Sequence, residues 1–202
     1  MVSRVLLASN NEHKLGEIRA MLRPHGFDVV SPTELGLNLG VEETGTTFAE
    51  NAALKAGAFG DAAGMPTLAD DSGLVVEALG GEPGVYSARY GGPGLTDDDR
   101  TRLVLRRMEA IPDGERQARF VAAVAVAAVG GGLRVFGGSV EGTVTREMSG
   151  SNGFGYDPIF YYPPLGKTFA QLQPREKEQV SHRGRAVRAA ISYLRTLAGE
   201  AD

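Results

Sequence analysis

The sequence predicts an α/β fold in which an elongated, mixed β-sheet is flanked by helices. Short apolar runs typical of buried strands alternate with segments whose apolar residues recur at helical spacing. Two strand-like runs in the middle of the chain follow each other without an intervening helix, which indicates a mixed sheet. The chain has 202 residues, 42% hydrophobic and 23% charged, the composition and length of one sizeable globular domain, residues 1–202.

The first elements are predicted to be a strand, a polar loop, a helix and a second strand. The segment "RVLLA" (4–8) is a short buried-strand pattern, and the polar "NNEHK" follows it. In "LGEIRAML" the apolar residues lie three and four positions apart, which is helical spacing. The segment "FDVVS" (27–31) predicts the second strand.

An alanine-rich helix comes next. Within "TTFAENAALKAGAFGDAAG", Thr47 and Glu50 have the spacing of a capping box, and Gly64 is a plausible stop. The following "MPTLADD" is interpreted as a strand that ends in two acids. The glycine-rich "SGLVVEALGGEPGVYSARYGGPG" is expected to form a loop that reaches the surface.

The remaining elements complete the alternation of strands and helices. Thr96 is expected to cap a helix over about 97–109. Residues 118–129 form a long β-like run, although its alanines also permit a helix. Residues 133–147 predict a strand pair or one bent long strand, and 182–199 an amphipathic terminal helix.

Composition and charge exclude several classes of function. The net charge of −4 provides no basic surface for binding nucleic acid. The chain contains no cysteine, and its histidines (His13, His25 and His182) are scattered, which argues against disulfides and a zinc cluster. No run approaches the roughly 18 apolar residues of a membrane span. The start "MVSRVLLAS" lacks a long apolar leader, so a cytoplasmic protein is expected.

The first loop has the residue types of a phosphate site. In "SNNEHK", Ser9, Asn11 and Lys14 lie between a strand end and a helix start, where free backbone N–H groups attract anions. Their hydroxyl, amide and ammonium groups suit a polyphosphate. The alternative is a capped helix with a solvated lysine, and no GxxxxGK[ST] motif occurs.

Two acidic pairs are candidates for binding a metal ion. Glu42 and Glu43 precede the alanine-rich helix, and Asp70 and Asp71 end a predicted strand. A few carboxylates of this kind suit Mg²⁺ shared with phosphates, and a carboxylate there can also activate water. Consecutive strand residues point to opposite faces, so one aspartate is expected to face a given cleft. The alternative for "DDSG" is turn chemistry.

Aromatic and basic residues cluster toward the C-terminus. The stretch "GFGYDPIFYYPP" gathers aromatic residues around Asp157, and "REKEQVSHRGRA" holds Lys177, Ser181, His182 and Arg183. Taken alone, the second segment is interpreted as a solvated charge run with Ser181 as a helix cap. Taken together, the two segments are candidates for one pocket in which an aromatic ring stacks on a flat base. Lys55, also taken alone, is interpreted as a solvated lysine.

Five segments together resemble the Ham1-like inosine triphosphate pyrophosphatase family. They are "SNNEHK", "EETGTTFAENAALKA", "ADDSGLVVEALGGEPGVYSARY", "GFGYDPIF" and "EKEQVSHRG", in the family's order. The resemblance implies hydrolysis of non-canonical purine nucleoside triphosphates such as ITP, dITP and XTP. It implies a two-lobed fold with the nucleotide in a central cleft, and a homodimer. Residues 97–150 contain no motif that would carry chemistry.

The resemblance also implies a role for each matched position. Asp71 is the expected proton acceptor, and it shares Mg²⁺ with Glu43; Glu42 is the alternative metal ligand if the register is off by one. Phe154 is expected to stack on the purine. The expected substrate-binding residues are Ser9, Asn11, Lys14, Lys55, Ser72, Phe154, Gly155, Tyr156, Asp157, Lys177, His182 and Arg183.

Two other interpretations stay open on the sequence. One is a Maf-like pyrophosphatase that acts on pyrimidine or modified nucleotides. The other is a non-catalytic module that senses nucleotides, although such a module has no need for a carboxylate that activates water.

Overall fold

The computed structural model describes residues 3–199, which form a mixed sheet with flanking helices. In chain order the strands and α-helices are β1 (Ser3–Leu7), α1 (Glu12–Leu22), β2 (Phe27–Val30), α2 (Phe48–Ala63), β3 (Thr67–Val76), α3 (Asp97–Arg107), β4 (Gln117–Ala127), β5 (Leu133–Val144), β6 (Phe160–Tyr162), β7 (Lys167–Thr168), α4 (Pro174–Val180) and α5 (His182–Leu197). Short 3-10 turns join several of them. No helix within residues 3–199 has the length and apolar character of a membrane span.

The strand order is β2-β1-β3-β4-β5-β6-β7. β1 runs parallel to both β2 and β3, whereas β6 runs antiparallel to β5 and β7. The sheet is therefore mixed, as the adjoining central strands predicted. The predicted α/β class is confirmed.

The chain divides into two compact units. Unit 1 contains residues 3–71, 122–138 and 183–199 of the described chain, and unit 2 contains 72–121 and 139–182. The chain passes from one unit to the other within β3, β4 and β5, and again at the start of α5. The assignment of residues 1–202 to a single two-lobed domain stays a prediction.

Unit 1 is built in three layers because successive strand residues face opposite sides of the sheet. Val5 and Leu7 of β1 pack with α1 and α5, whereas Leu6 packs with α2. The same alternation continues in β4, where the alanines that face α2 let this helix lie close to the sheet. A strand covered on both faces has little room for polar residues, so β1 appears in the sequence as a continuous apolar run.

Unit 2 has an aromatic core. The rings of Phe120 and Phe160 lie 4.6 Å apart, and Phe169 packs edge-on against Phe160 at 4.9 Å. Buried aliphatic residues of β3, α3 and β5 complete the cluster. The guanidinium of Arg116, buried beside it, donates to backbone carbonyl oxygens of Met108, Ile111, Val144 and Thr145.

Most elements lie where the sequence predicts them. The capping box of Thr47 and Glu50 is formed, and Gly64 ends α2 in the left-handed conformation. Thr96 caps α3, which ends at Arg107. Residues 117–127 are a strand rather than a helix, and the segment over 133–147 contains one strand, β5.

The prediction for β3 was wrong at its C-terminal end. The strand continues through Val76, so Asp70 and Asp71 lie in its middle and the expected surface loop starts later. Turn chemistry was the alternative interpretation of "DDSG", but Gly73 lies within the strand and permits close packing. A Cβ at this position would lie 2.2 Å from Ser87 Oγ and 2.6 Å from the carbonyl oxygen of Gly84. Glycine is present in β3 because the turn over residues 84–89 packs directly against the strand.

Candidate active site

The loop after β1 holds the first group of predicted residues. Ser9 Oγ accepts from the backbone N–H of Asn11 at 3.2 Å. Asn11 is the N-cap of α1, and its Oδ1 accepts from the N–H of Lys14 at 3.1 Å. These bonds fix the first turn of α1 and with it the start of the Lys14 side chain. The N-capping that the alternative interpretation required is present, but Lys14 is not solvated.

Lys14 points to β3. Its Nζ lies 2.9 Å from Asp70 Oδ2 and 3.4 Å from the carbonyl oxygen of the same residue. The Asp70 side chain has no exposed surface, and that of Lys14 is 16% exposed. The cost of removing such a buried ion pair from water is offset only when both partners also form good hydrogen bonds.

Lys55 is held by three acceptors and is not the solvated lysine that its helical position alone predicts. Its Nζ donates to Glu43 Oε1 at 2.8 Å, to the carbonyl oxygen of Asp70 at 3.2 Å and to Asp71 Oδ1 at 3.3 Å. Burial lowers the pKa of this ammonium, but the carboxylates of Asp71 and Glu43 outweigh it, so the pKa lies above its ordinary value. Lys55 is therefore a stable cation.

The two acids of each pair are placed differently. Glu43, and not the exposed Glu42, contacts Lys55. The turn that follows Glu43 is fixed by α2: Asn51 Oδ1 accepts from the N–H of Gly45 at 2.8 Å. A Cβ on Gly45 would lie 2.7 Å from that oxygen, so this approach requires glycine. The geometry favours Glu43 over the alternative ligand Glu42.

Asp71 has one engaged and one open oxygen. Oδ1 accepts from Lys55, whereas Oδ2 is buried and has no hydrogen-bond partner among residues 3–199. Burial raises the pKa of the Asp71 carboxyl and the nearby Glu43 raises it further, and these effects exceed the opposing influence of Lys55 and Lys14. Such a carboxylate has an unused acceptor and an increased affinity for a proton.

Arg183 also lies in this cluster of unit 1. Its Nη1 lies 2.5 Å from Glu17 Oε2, and its Nη2 lies 3.3 Å from Asp70 Oδ2. Burial lowers the pKa of the guanidinium, but Asp70 and Glu17 raise it by more, so the charge is permanent. The structure thus places the Arg183 guanidinium between the carboxylates of Glu17 and Asp70.

The loop over residues 153–157 of unit 2 is closed by its own aspartate. Asp157 Oδ2 accepts from the N–H of Phe154 at 2.9 Å, and the N–H of Asp157 donates to the carbonyl oxygen of Phe154 at 3.3 Å. Gly153 has φ +74°, and a Cβ there would lie 2.1 Å from Asp157 Oδ2. Both the backbone conformation and the space therefore require glycine at this position.

Lys177 joins this loop from α4. Its Nζ lies 2.5 Å from Asp157 Oδ2 and 4.9 Å from the centroid of the Phe154 ring. Both ends of the ion pair are almost fully buried, with side chains 7% and 3% exposed. An ammonium over the face of a ring is attracted by the ring quadrupole, so Lys177 and Phe154 support each other.

The other predicted residues of unit 2 lie on its core elements. Tyr156 donates through its hydroxyl to the carbonyl oxygen of Ser87 at 2.9 Å, and burial raises the pKa of this phenol. The ring of His182 stacks on Phe120 at 4.6 Å and 8°. Ser72 is half-buried, directly after Asp71. Ser181 precedes the first residue of α5, as a cap would.

The C-terminal basic segment is not a solvated charge run. Lys177, His182 and Arg183 are 6%, 3% and 2% exposed, whereas Arg185 is exposed. Lys177 and Arg183 have acidic partners from other parts of the chain, and a local charge pattern contains no information on such partners.

Sequence reasoning missed several residues that contact the predicted ones. Glu17 holds Arg183, and Asp97 and Thr101 of α3 hydrogen-bond the backbone of Gly155. Helical spacing was the available signal, since Glu17 lies three residues after Lys14, and Asp97 and Thr101 are four apart. No chemical motif accompanies them.

Comparisons with known proteins show which family the chain resembles. The model of the Ham1 family matches residues 5–193. The chain is 48% identical over 188 residues to a dITP/XTP pyrophosphatase of Thermus thermophilus, covering 93% of this chain and 90% of that one. It is 44% identical to the dITP/XTP pyrophosphatase of Escherichia coli K12, covering 96% and 99%.

Solved structures give the same result. A HAM1 protein from Coxiella burnetii superimposes with a TM-score of 0.85 at 41% identity, covering 96% of this chain and 99% of that one. A nucleoside-triphosphatase / dITP/XTP pyrophosphatase from Mycobacterium abscessus gives a TM-score of 0.74 at 43% identity, with coverage of 92% and 97%.

Proposed function

The chain belongs to the Ham1 family, and we propose that it hydrolyses non-canonical purine nucleoside triphosphates. The substrates are ITP, dITP and XTP, and the products are the nucleoside monophosphate and pyrophosphate. The enzyme is thus a nucleoside triphosphate pyrophosphatase that removes these nucleotides from the pool before they are used in synthesis. Its family match favours this activity over the Maf-like and nucleotide-sensing interpretations.

One observation carries the proposal from the structure. Lys14 and Lys55 both donate to the carbonyl oxygen of Asp70, while the next residue, Asp71, contacts Lys55 and has an open carboxylate oxygen. Two cations and a carboxylate with an unused acceptor therefore meet at one point of β3. This is the combination that hydrolysis of a phosphoanhydride needs: charge neutralisation for the phosphates and an acceptor for the proton of water.

We assign the phosphate chain to Lys14, Lys55 and the loop of Ser9 and Asn11. Their ammonium, hydroxyl and backbone groups provide positive potential next to the N-terminus of α1, which favours anions. The ammonium groups also stabilise the charge that develops on the leaving pyrophosphate. Since these groups are already held by Asp70, little reorganisation is required when the substrate binds.

We assign the water to Asp71. Its Oδ2 accepts the proton as the water oxygen attacks phosphorus and the bond to the pyrophosphate oxygen breaks. The raised pKa of the Asp71 carboxyl makes it a better proton acceptor than an ordinary aspartate. Lys55, bound to Oδ1, fixes the orientation of the carboxylate during this step.

We propose that Mg²⁺ binds at Glu43 and Asp71. The carboxylates of Glu43 and Asp71 both contact Lys55, so oxygen ligands for a hard cation lie close together there. No cluster of three or more acidic or histidine ligands occurs in the described part of the chain. Mg²⁺ requires none, because it binds through one or two carboxylates together with phosphates and water. The ion would neutralise phosphate charge.

We assign the purine to Phe154, Lys177 and Asp157. The Phe154 ring provides a stacking face, and the Lys177 ammonium above it provides donors for a ring oxygen. Inosine and xanthosine carry an oxygen at C6, where adenine carries an amine. An N–H that faces the ammonium loses its hydrogen bond at a cost of about 1–3 kcal/mol, so adenine is rejected. Asp157 fixes Lys177 in place and closes the loop.

The other expected substrate contacts remain part of the proposal. Gly155 and Tyr156 lie in the loop assigned to the base, and Ser72 adjoins Asp71. His182 is held by its stacking on Phe120. Arg183 was expected to donate to the base, and its guanidinium is bound to Asp70 and Glu17; we propose that it also fixes the carboxylate that holds Lys14.

We further propose a cytoplasmic homodimer, since the nucleotide substrate is found in the cytoplasm and the resemblance implies a dimer. Sedimentation velocity of the purified chain checks the dimer, for which a single species of about twice 21.3 kDa is expected. A single species of monomer mass at micromolar concentration would contradict it.

A panel of nucleoside triphosphates tests the function. ITP, dITP, XTP, ATP, GTP, UTP and dTTP are incubated with the enzyme and Mg²⁺, and pyrophosphate and phosphate are measured separately. We expect kcat/KM for dITP and XTP to exceed that for ATP by on the order of 10² or more. Faster hydrolysis of UTP or dTTP would favour the Maf-like interpretation, and ITP binding without turnover would favour the sensing module.

A further inference from the structure

Helix α3 contacts the base-binding loop although no chemical motif marks it. Two of its side chains reach one glycine: Asp97 Oδ2 accepts from the N–H of Gly155 at 3.2 Å, and Thr101 Oγ1 donates to the carbonyl oxygen of Gly155 at 3.1 Å. Asp97 and Thr101 are four residues apart, so they lie on the same face of the helix, one turn apart. Both backbone groups of Gly155 are thus bound by one helix.

The two hydrogen bonds act on different peptide planes. The N–H of Gly155 belongs to the plane before its Cα, and the carbonyl belongs to the plane after it. Fixing both planes fixes φ and ψ of the residue. Gly155 has φ +58°, a conformation that glycine adopts without a strong preference over alternatives, so contacts from outside the loop are required to select it.

The conformation of Gly155 sets the position of its neighbours. Phe154 precedes it, and Tyr156 and Asp157 follow. The Tyr156 hydroxyl is anchored to Ser87, and Asp157 is anchored to Lys177. Phe154 is connected to these anchored residues by the backbone of Gly155 and by its two hydrogen bonds with Asp157. A rotation at Gly155 would therefore turn the Phe154 ring relative to the Lys177 ammonium.

The part of α3 that carries Asp97 and Thr101 is itself held in place. Thr96 and Asp99 form a capping box at the start of α3, which fixes the turn that carries Asp97. Thr101 is fully buried, and Val104, one turn later, is part of the core of unit 2. A buried threonine hydroxyl needs a hydrogen-bond partner, and Gly155 provides it.

We propose that Asp97 and Thr101 are positioning residues that set the affinity of the enzyme for the base of its substrate. They do so by fixing Gly155 and, through it, the orientation of Phe154 over the purine. The inference rests on the proposed function and extends it to a helix without a recognisable motif. It assigns no chemical step to either residue, so the hydrolysis itself does not depend on them.

Substitutions that remove one hydrogen bond each test the proposal. Thr101→Val keeps the shape of the side chain and loses the hydroxyl, whereas Thr101→Ser keeps the hydroxyl. Asp97→Ala removes the carboxylate. Asp98→Ala is the matched control, because Asp98 lies on the same helical turn and pairs with Arg102 without contacting Gly155. It also reproduces the loss of one negative charge near the helix N-terminus.

We expect KM for ITP to rise about fivefold in Thr101→Val and in Asp97→Ala, the effect of one hydrogen bond, with kcat within about twofold of wild type. Thr101→Ser and Asp98→Ala should retain the wild-type KM. The inhibition constant of IMP, which carries the base, should rise in parallel with KM. That of imidodiphosphate, which occupies only the phosphate region, should not change.

Three results would overturn the inference. The first is an unchanged KM and IMP affinity in both Thr101→Val and Asp97→Ala. The second is an equal loss of affinity for IMP and imidodiphosphate, which indicates a general defect. The third is a fall in kcat and melting temperature with KM unchanged, as a merely structural role produces.

Calorimetric titration with IMP makes the same comparison without turnover and separates the two proposals. If wild type hydrolyses ITP and the variants bind IMP as wild type does, only the positioning role fails. If wild type neither hydrolyses ITP nor binds IMP, the proposed function fails, and the positioning role fails with it.

Discussion

At the scale of single residues, the two carboxylate oxygens of Asp71 differ in their contacts and in the roles that we assign to them. Oδ1 is bound by Lys55, which orients the carboxylate, and Oδ2 has no hydrogen-bond partner within residues 3–199, as the proposed role of proton acceptor requires. Proteins rarely leave a buried carboxylate oxygen unpaired, because such a group costs stability. At a reactive site the rest of the fold compensates for this loss of stability, and the unpaired oxygen can take part in the reaction.

Asp71→Asn is expected to reduce kcat for dITP by about 10²–10⁴, because an amide cannot accept the proton of water. Binding of dITP should remain measurable, since Lys14, Lys55 and Phe154 are unchanged. Steady-state kinetics and calorimetric titration check both parts. Asp61→Asn, an exposed aspartate on α2, is the control and should behave as wild type. Full activity in Asp71→Asn would remove Asp71 from the mechanism.

The raised pKa of the Asp71 carboxyl predicts how stability depends on pH. Its pKa is higher in the folded than in the unfolded protein, so its contribution to stability is present at low pH and is lost as pH rises through the folded value. In metal-free enzyme, Asp71→Asn should therefore melt at the same temperature as wild type or below it near pH 4, and gain on it as pH rises to 7.

Thermal denaturation in EDTA over this pH range measures the effect. A difference in melting temperature between Asp71→Asn and wild type that stays constant from pH 4 to 7 would contradict the raised pKa. If the melting temperature of Asp71→Asn instead fell relative to wild type as pH rises, the pKa of Asp71 would be lowered rather than raised.

At the scale of elements, the loop over residues 153–157 shows how a short segment is fixed by few contacts. It is closed by the Asp157 carboxylate from within, by Lys177 from α4, and by two side chains of α3. The loop could be identified from the sequence as a candidate binding segment, because glycines and aromatic residues are rarely found side by side. Helix α3 could not, because an aspartate and a threonine on a helix surface are common.

Gly153→Ala should raise KM for dITP by about tenfold or more. The added Cβ would lie 2.1 Å from Asp157 Oδ2 in a backbone conformation of φ +74°, so the loop or the carboxylate must move away from Lys177. Steady-state kinetics measures this change. Gly137→Ala is the control, since a Cβ at this position in β5 has no neighbour within 4 Å. A wild-type KM in Gly153→Ala would show that the loop does not determine base binding.

The side chain of Arg116 connects two elements, since it joins the end of α3 to the end of β5. Arg116→Met should lower the free energy of unfolding by about 2–4 kcal/mol, because buried carbonyl oxygens lose their charged donor. Urea denaturation monitored by circular dichroism measures the loss. Arg106→Met, at an exposed position of α3, should change stability by less than about 0.5 kcal/mol. Equal stability of both variants would contradict this role.

Local signals could be predicted from the sequence, and distant partners could not. The capping boxes of Thr47 and Thr96 are formed because their atoms are three residues apart. The true end of β3 was missed, because Gly73 resembles a turn signal until its packing against Ser87 is known. Lys177 and Arg183 appeared solvated, because their acidic partners lie 20 and more residues away in the chain.

At the scale of the whole molecule, the two kinds of chemistry are divided between the two units. Unit 1 holds the lysines and carboxylates assigned to the phosphates, and unit 2 holds the aromatic loop and Lys177 assigned to the base. The chain changes unit directly after Asp71 and directly after His182. The family resemblance predicted this set of residues from their order in the chain, whereas composition and periodicity alone predicted only the α/β class.

The products of dITP hydrolysis test the central claim most directly, namely that Asp71 and its cluster split off pyrophosphate in one step. Enzyme, Mg²⁺ and dITP are mixed, and dIMP, dIDP, pyrophosphate and phosphate are quantified by ion-exchange chromatography for wild type and Asp71→Asn. We predict one pyrophosphate for each dIMP in wild type, without dIDP, and loss of both products in Asp71→Asn. Formation of dIDP and phosphate, or undiminished turnover in Asp71→Asn, would contradict the account.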